Sequence, residues 1–221
     1  MILRQQFAPT FVLLIAFNSS SLGAMVTTNE SGIDTIFSQA TFGTTPIDVR
    51  FDPVFTIIND DALNIDSGFD FFALIDLAPN PDSHVNLFFI DSITWCGGNN
   101  PAIVGCGTTP GDVIAVESVI AAGTFGAELI AHEMSHNLGL GHSGAGLMGS
   151  TLNGNTSLTA SEVNTIRNSS LVQTDASGSF INVTPILVTA TAVPEPSAMG
   201  FFAIFSAGLV LRRRRPKSVT S

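Results

Sequence analysis

Residues His132 to His142 read HEMSHNLGLGH. His132 and His136 are four positions apart, so on an α-helix they stand one turn apart on one face. Their imidazoles can then reach a single ion from the same side. Glu133 follows the first of them, where its carboxylate can reach a water on that ion. Gly139 lets the helix end in a left-handed conformation that other residues adopt only at a steric cost. There the chain can turn back and offer His142 as a third ligand. Three neutral imidazoles with an open fourth position make a catalytic zinc site, whereas a structural site uses four protein ligands. Imidazole also suits copper, nickel and iron, so zinc is favoured on geometry and precedent and residue type leaves those metals open. Three of the chain's four histidines fall inside this window. Core or surface histidines on an amphipathic helix are the plainer reading, and they have no need of this spacing.

The window resembles the zinc-binding pattern of the metzincin peptidases, HExxHxxGxxH. Metzincins carry a methionine beneath the metal in a tight turn after the third histidine. Here Gly146, Leu147, Met148 and Gly149 follow His142, and Met148 fits that role. Ser143 follows the third ligand, as in the matrixins. Leu158 to Ile166 (LTASEVNTI) resembles the helix that follows the turn in matrixin-like domains. The likeness is good over residues 85–170 and loose over 45–84. It implies an α+β domain with a twisted, mostly parallel sheet, an active-site helix and a C-terminal helix after the Met-turn. It also implies a zinc endopeptidase with Glu133 as general base, acting on a protein or peptide substrate. The substrate would lie along an exposed strand edge between Ala102 and Val116 by strand addition. A non-catalytic matrix or adhesion module on the same scaffold is the alternative, and a zinc hydrolase of non-peptide amides is a third reading. Glu133 favours the first, because a binding module has no use for it.

Several elements must position these residues. Ile47, Val49 and Phe51 alternate with Asp48, Arg50 and Asp52, the period of a half-buried strand. Val85–Ile90 (VNLFFI) is a continuous apolar run, expected of a central strand covered on both faces. Asp112–Glu117 predicts another short strand. Ser67 with Asp70 forms a capping-box start for a helix over 67–77. Residues 124–138 predict the main helix, with Glu128 in its first turn. Thr159 with Glu162 starts a last helix near 160–168. Residues 25–45 are Thr/Ser-rich and read as a mobile lead or edge segment. Residues 173–193 read as a spacer, or an added strand, so the peptidase domain is expected over 25–172.

The two ends read as addresses. Residues 1–24 combine Arg4, an apolar run from Phe11 to Phe17 and a small-residue stretch, the layout of a secretory signal peptide. At the other end stand Val193, Pro194, Glu195 and Pro196, an apolar stretch from Ala198 to Leu211, and Arg212 to Arg215. Residues 194–217 resemble the PEP-CTERM sorting signal of Gram-negative bacteria. That resemblance implies export to the cell envelope or matrix, a transient inner-membrane anchor through a short transmembrane segment, and an exosortase-type processing enzyme as partner. Between residues 25 and 196 only Arg50 and Arg167 offset all 18 acids. A body that acidic excludes gripping nucleic-acid phosphates, which needs clustered Lys and Arg.

Cys96 and Cys106 enclose nine residues rich in Gly, Asn and Pro. In an oxidising compartment they predict a local disulfide, contributing about 2–3 kcal/mol by loop closure. A two-cysteine metal site that borrows His84 is the alternative. Asp60, Asp61, Asp66 and Asp70 could supply oxygen ligands to Ca2+, although without EF-hand spacing. A solvated acidic loop is the plainer reading of those four.

Overall fold

Apolar residues at strand period lay out the sheet against which the histidine-bearing helix packs. The computed structural model describes residues 25–191, so the signal peptide and the sorting signal expected from sequence lie outside the described residues. The chain runs α1 (Glu30–Phe37), β1 (Ile47–Phe51), β2 (Phe55–Ile58), β3 (Asn64–Ile65), α2 (Gly68–Asp76), β4 (Val85–Ile90) and β5 (Ser92–Ile93). It continues through β6 (Gly105–Gly107), β7 (Val113–Glu117), α3 (Ser118–Ala121), α4 (Gly126–Asn137), α5 (Ala160–Arg167), β8 (Gln173–Asp175) and β9 (Gly178–Thr189). The fold is α+β, with a seven-stranded, mostly parallel sheet in the order β1-β9-β4-β7-β6. Strand β6 runs antiparallel at one edge. Strand β2 continues beside the second half of β9, and β8 pairs antiparallel with its start.

The pleat divides the core in two. Ile47, Val49, Val85, Leu87, Phe89, Ile114, Val116, Ile181 and Val183 face α1 and α4. Phe88, Ile90, Val113, Ala115, Ile186 and Val188 face the opposite way, where Phe71 and Leu74 of α2 cover them. All six residues of β4 are buried, as a strand covered on both faces requires. Helix α2 starts at its capping box: the Asp70 carboxylate accepts from the Ser67 amide and hydroxyl. Helix α5 starts the same way, on Thr159 and Glu162. Among the described residues no helix is long and apolar enough to cross a membrane.

Two expectations need correction. Residues 25–45 are not an edge segment, because they contain α1, which buries Ile33, Ile36 and Phe37. That helix crosses α4 where Gly32 meets Ala127, and a methyl group on Gly32 would come within 2.6 Å of the Ala127 Cβ. Residues 173–193 are not a spacer but the added strand that their composition also allows. They supply β8 and β9, and β9 is an inner strand of the sheet, with β1 and β2 on one side and β4 on the other. The folded unit therefore extends well past residue 172. Pro185 is tolerated within β9 for a local reason. Val183 turns its carbonyl to the Asp52 amide, so Pro185, two residues on, turns its missing N–H to the same side. There the edge lies between the end of β1 and the start of β2, and residues 184 and 185 have no partner in either.

Candidate metal centre

Helix α4 is buried from Glu128 to Asn137, so its polar side chains must be used or satisfied inside the protein. It starts hard against α3, where any side chain on Gly126 would overlap the Ala121 carbonyl. It ends in a Schellman motif. The Leu140 amide donates to Ser135 O and the Gly139 amide to His136 O, with Gly139 at φ 97°. This stop reverses the chain and brings His142 back over the helix.

The three histidines converge. Nε2 of His136 lies 3.2 Å from Nε2 of His132 and 3.3 Å from Nε2 of His142, and the third separation is also 3.3 Å. The second nitrogen of each helical histidine is held by a backbone carbonyl. His132 Nδ1 donates to Leu147 O at 2.7 Å, and His136 Nδ1 donates to Leu140 O at 2.7 Å. Both Nε2 atoms therefore turn a lone pair toward the common centre, the outer support usual for metal-bound histidine. Burial holds His132 below its ordinary pKa and lowers His136 to about 4, so both are neutral at pH 7. Three such nitrogens this close repel one another unless a cation lies between them. Tetrahedral zinc, with bonds of about 2.0–2.1 Å, needs ligand nitrogens roughly 3.3–3.4 Å apart, so the residues fit it. Among the described residues this is the one group of three or more such side chains close enough to share an ion. Asp60, Asp61, Asp66 and Asp70 form no such group; Asp70 is spent on the Asp66 and Ser67 amides and Asp60 on the Thr191 amide.

Met148 ends a short 3-10 turn, Gly146–Met148, and is fully buried against the core that α4 shares. The same turn supplies the Leu147 carbonyl to His132. Glu133 is 6% exposed, and its carboxylate lies under β6. A methyl group on Gly105 would overlap that carboxylate, and one on Gly107 would come within 3.3 Å of Oε2. Burial raises Glu133 to about 8. Two cavities meet at Glu133 and His142. One of about 590 Å³ is lined by Val104, Ile120, Leu129 and Gly149–Leu152, and one of about 440 Å³ by Cys96, Ile103, Gly107 and His136. The edge expected between Ala102 and Val116 contains β6, the outer strand of the sheet. Cys96 and Cys106 are joined in a disulfide beside it, which leaves no cysteine for a metal site. His84 stands apart, 3.4 Å from Asp52.

The two supporting carbonyls could not be read from side-chain types, since any residue at 140 or 147 would supply one. Glycines at 105 and 107 carry a signal only once β6 is placed over Glu133. No protein-family model, no curated protein and no solved structure matches the chain.

If His142 is a ligand, His142→Ala should leave the fold intact, because that side chain comes from an exposed loop. Zinc affinity should fall by more than about 100-fold, beyond the loss that follows removal of an outer partner. Metal content after dialysis measures this, and an unchanged content would remove His142 from the ligand set.

Proposed function

We propose that the protein is an exported zinc-dependent endopeptidase of metzincin type. The observation that carries this reading is the convergence of three Nε2 atoms beside a buried glutamate at the junction of two cavities. Zinc held by His132, His136 and His142 would supply Lewis acidity toward a water and toward a peptide carbonyl. Glu133 carries the proton: the positive charge of a zinc ion beside it would favour its ionised form against the burial that raises it, and the carboxylate would take one proton from the attacking water and deliver it to the leaving amine. Gly105 and Gly107 keep β6 thin enough for that carboxylate to sit beneath it. The outer edge of β6 accepts an extended peptide as a further strand, directly above the reacting groups. Met148, buried in the core that α4 shares, would form the floor beneath the histidines. The terminal segments belong to the same reading: residues 1–24 direct export, and residues 194–217 direct sorting to the envelope or matrix.

The test is hydrolysis of an unfolded protein by the purified, zinc-loaded chain. Cleavage should stop on chelation and return with one equivalent of Zn2+. A zinc-loaded protein that cleaves no unfolded or peptide substrate would move the assignment to the matrix or adhesion module.

A further inference from the structure

The larger cavity has a wall held in place by a carboxylate that the chemistry above does not use. Glu128 lies on α4 one turn before His132 and is 5% exposed. Its two oxygens each accept one backbone amide from the loop after Met148. The Asn153 amide donates to Oε1 at 3.0 Å, and the Gly154 amide to Oε2 at 2.8 Å. Gly154 has φ 82°, a conformation glycine takes without strain. Among the described residues, neither Arg50 nor Arg167 pairs with the carboxylate. Arg50 engages Asp48 and Asp175, and Arg167 donates to the Phe42 and Thr45 carbonyls. The buried carboxylate is met by the two amides, one on each oxygen.

Just before those amides, Gly149, Ser150, Thr151 and Leu152 line the 590 Å³ cavity together with Leu129 and Ile120. The loop's other ties lie at its foot. The Leu147 amide donates to Ser157 O, while Gln39 donates to Thr156 O and accepts from the Leu158 amide. Among the described side-chain hydrogen bonds, only those of Glu128 join residues 149–154 of the loop to the histidine helix, at the Asn153–Gly154 turn that follows the lining residues.

We propose that Glu128 is a positioning residue for substrate selection: it clamps the Asn153–Gly154 turn, fixes the Gly149–Leu152 wall relative to the histidines, and so sets the apolar side chain the cavity accepts. The substrate class is a peptide with a large aliphatic or aromatic side chain beside the scissile bond. This rests on the peptidase reading for its substrate, but the clamp itself can be read without turnover.

The experiment uses the zinc-loaded full chain and two peptide hydroxamates that differ in one side chain, isobutyl or methyl, with affinity read by calorimetry. Hydroxamates bind zinc without being hydrolysed. A protein that cleaves nothing would overturn the peptidase reading and still report on Glu128. The parent should prefer isobutyl by about 10- to 100-fold, the range that a few methylene groups give in an apolar pocket. Glu128→Ala should abolish that preference while leaving zinc content and affinity for the methyl compound unchanged. Glu128→Gln keeps one acceptor but turns a donor toward the other amide, so the preference should fall partway. Amide exchange over residues 149–154 should quicken in both variants, with β4 and β9 unaffected. A parent with no preference, or a folded, zinc-loaded Glu128→Ala that retains the parent's preference, overturns the proposal. If Glu128→Ala does not fold, Glu128→Gln decides by the same comparison.

Discussion

Replacing Glu133 with alanine should cut hydrolysis by about 10²- to 10⁴-fold, the usual contribution of a general acid–base group, while one zinc ion stays bound per chain. The reason for separating the two effects is geometric. The histidines meet through their own Nε2 atoms and are supported by Leu147 O and Leu140 O, none of which depends on Glu133. The carboxylate instead lies beneath Gly105 and faces both cavities. Gly105→Ala should therefore produce much of the same loss without altering a charged group. Its new Cβ would come within 2.8 Å of Glu133 Cδ and overlap the carboxylate, so the side chain must swing aside. Gly105 has no positive φ, so alanine brings no backbone strain and the fold should survive. Zinc stoichiometry and kcat are measured on both variants beside the parent. An active Glu133→Ala would remove Glu133 as the base. A zinc-free Glu133→Ala would make it part of the metal-holding set.

How much of this site was legible follows from how local each feature is. The His132–His136 spacing, the glycine stop and the return of His142 lie within 11 residues, and helical period alone predicts their convergence. The starts of α2 and α5 were legible because a capping box is a contact between residues three apart. Helix α1 was harder to see. Ile33, Ile36 and Phe37 have helical spacing, but they sit among threonines and serines, and α1 is only 8 residues long. It is held by packing on β1 and on α4, and the second of these contacts lies in no short window. For residues 173–193 the sequence offers both a spacer and an added strand, and it does not choose between them for a related reason. Thr, Val and Ala suit a strand, but Pro185 argues against an inner one. Only the seam between β1 and β2, formed by residues more than a hundred positions earlier, removes that objection. Glu128 was visible as a helix-start acid, but its partners at Asn153 and Gly154 were not.

Ending the chain after Val172 should abolish folding, even though that cut spares every residue of the metal site. Strand β9 carries Ile181, Val183, Ile186 and Val188, all 0% exposed, and they serve both faces of the sheet. Burying each contributes about 1.5–3 kcal/mol, so their loss amounts to roughly 6–12 kcal/mol. That equals most of the net stability of an ordinary domain, about 5–15 kcal/mol. The sheet is also divided, since β9 is what joins β1 and β2 to β4. Without it, α1 and β1 have no fixed place beside α4, and the histidines lose the support behind them. The truncated chain should show no cooperative thermal unfolding and bind no stoichiometric zinc. A chain ending after Thr191 should keep both properties, because β9 ends at Thr189 and the Thr191 amide is still tied to Asp60. A folded, zinc-binding truncation at Val172 would show that β9 is dispensable. The contrast also bears on sorting. Only Ala192 and Val193 separate Thr191 from Pro194. Under the proposed sorting, cleavage at the Pro-Glu-Pro sequence would therefore fall just beyond the last residue the sheet requires and leave β9 intact.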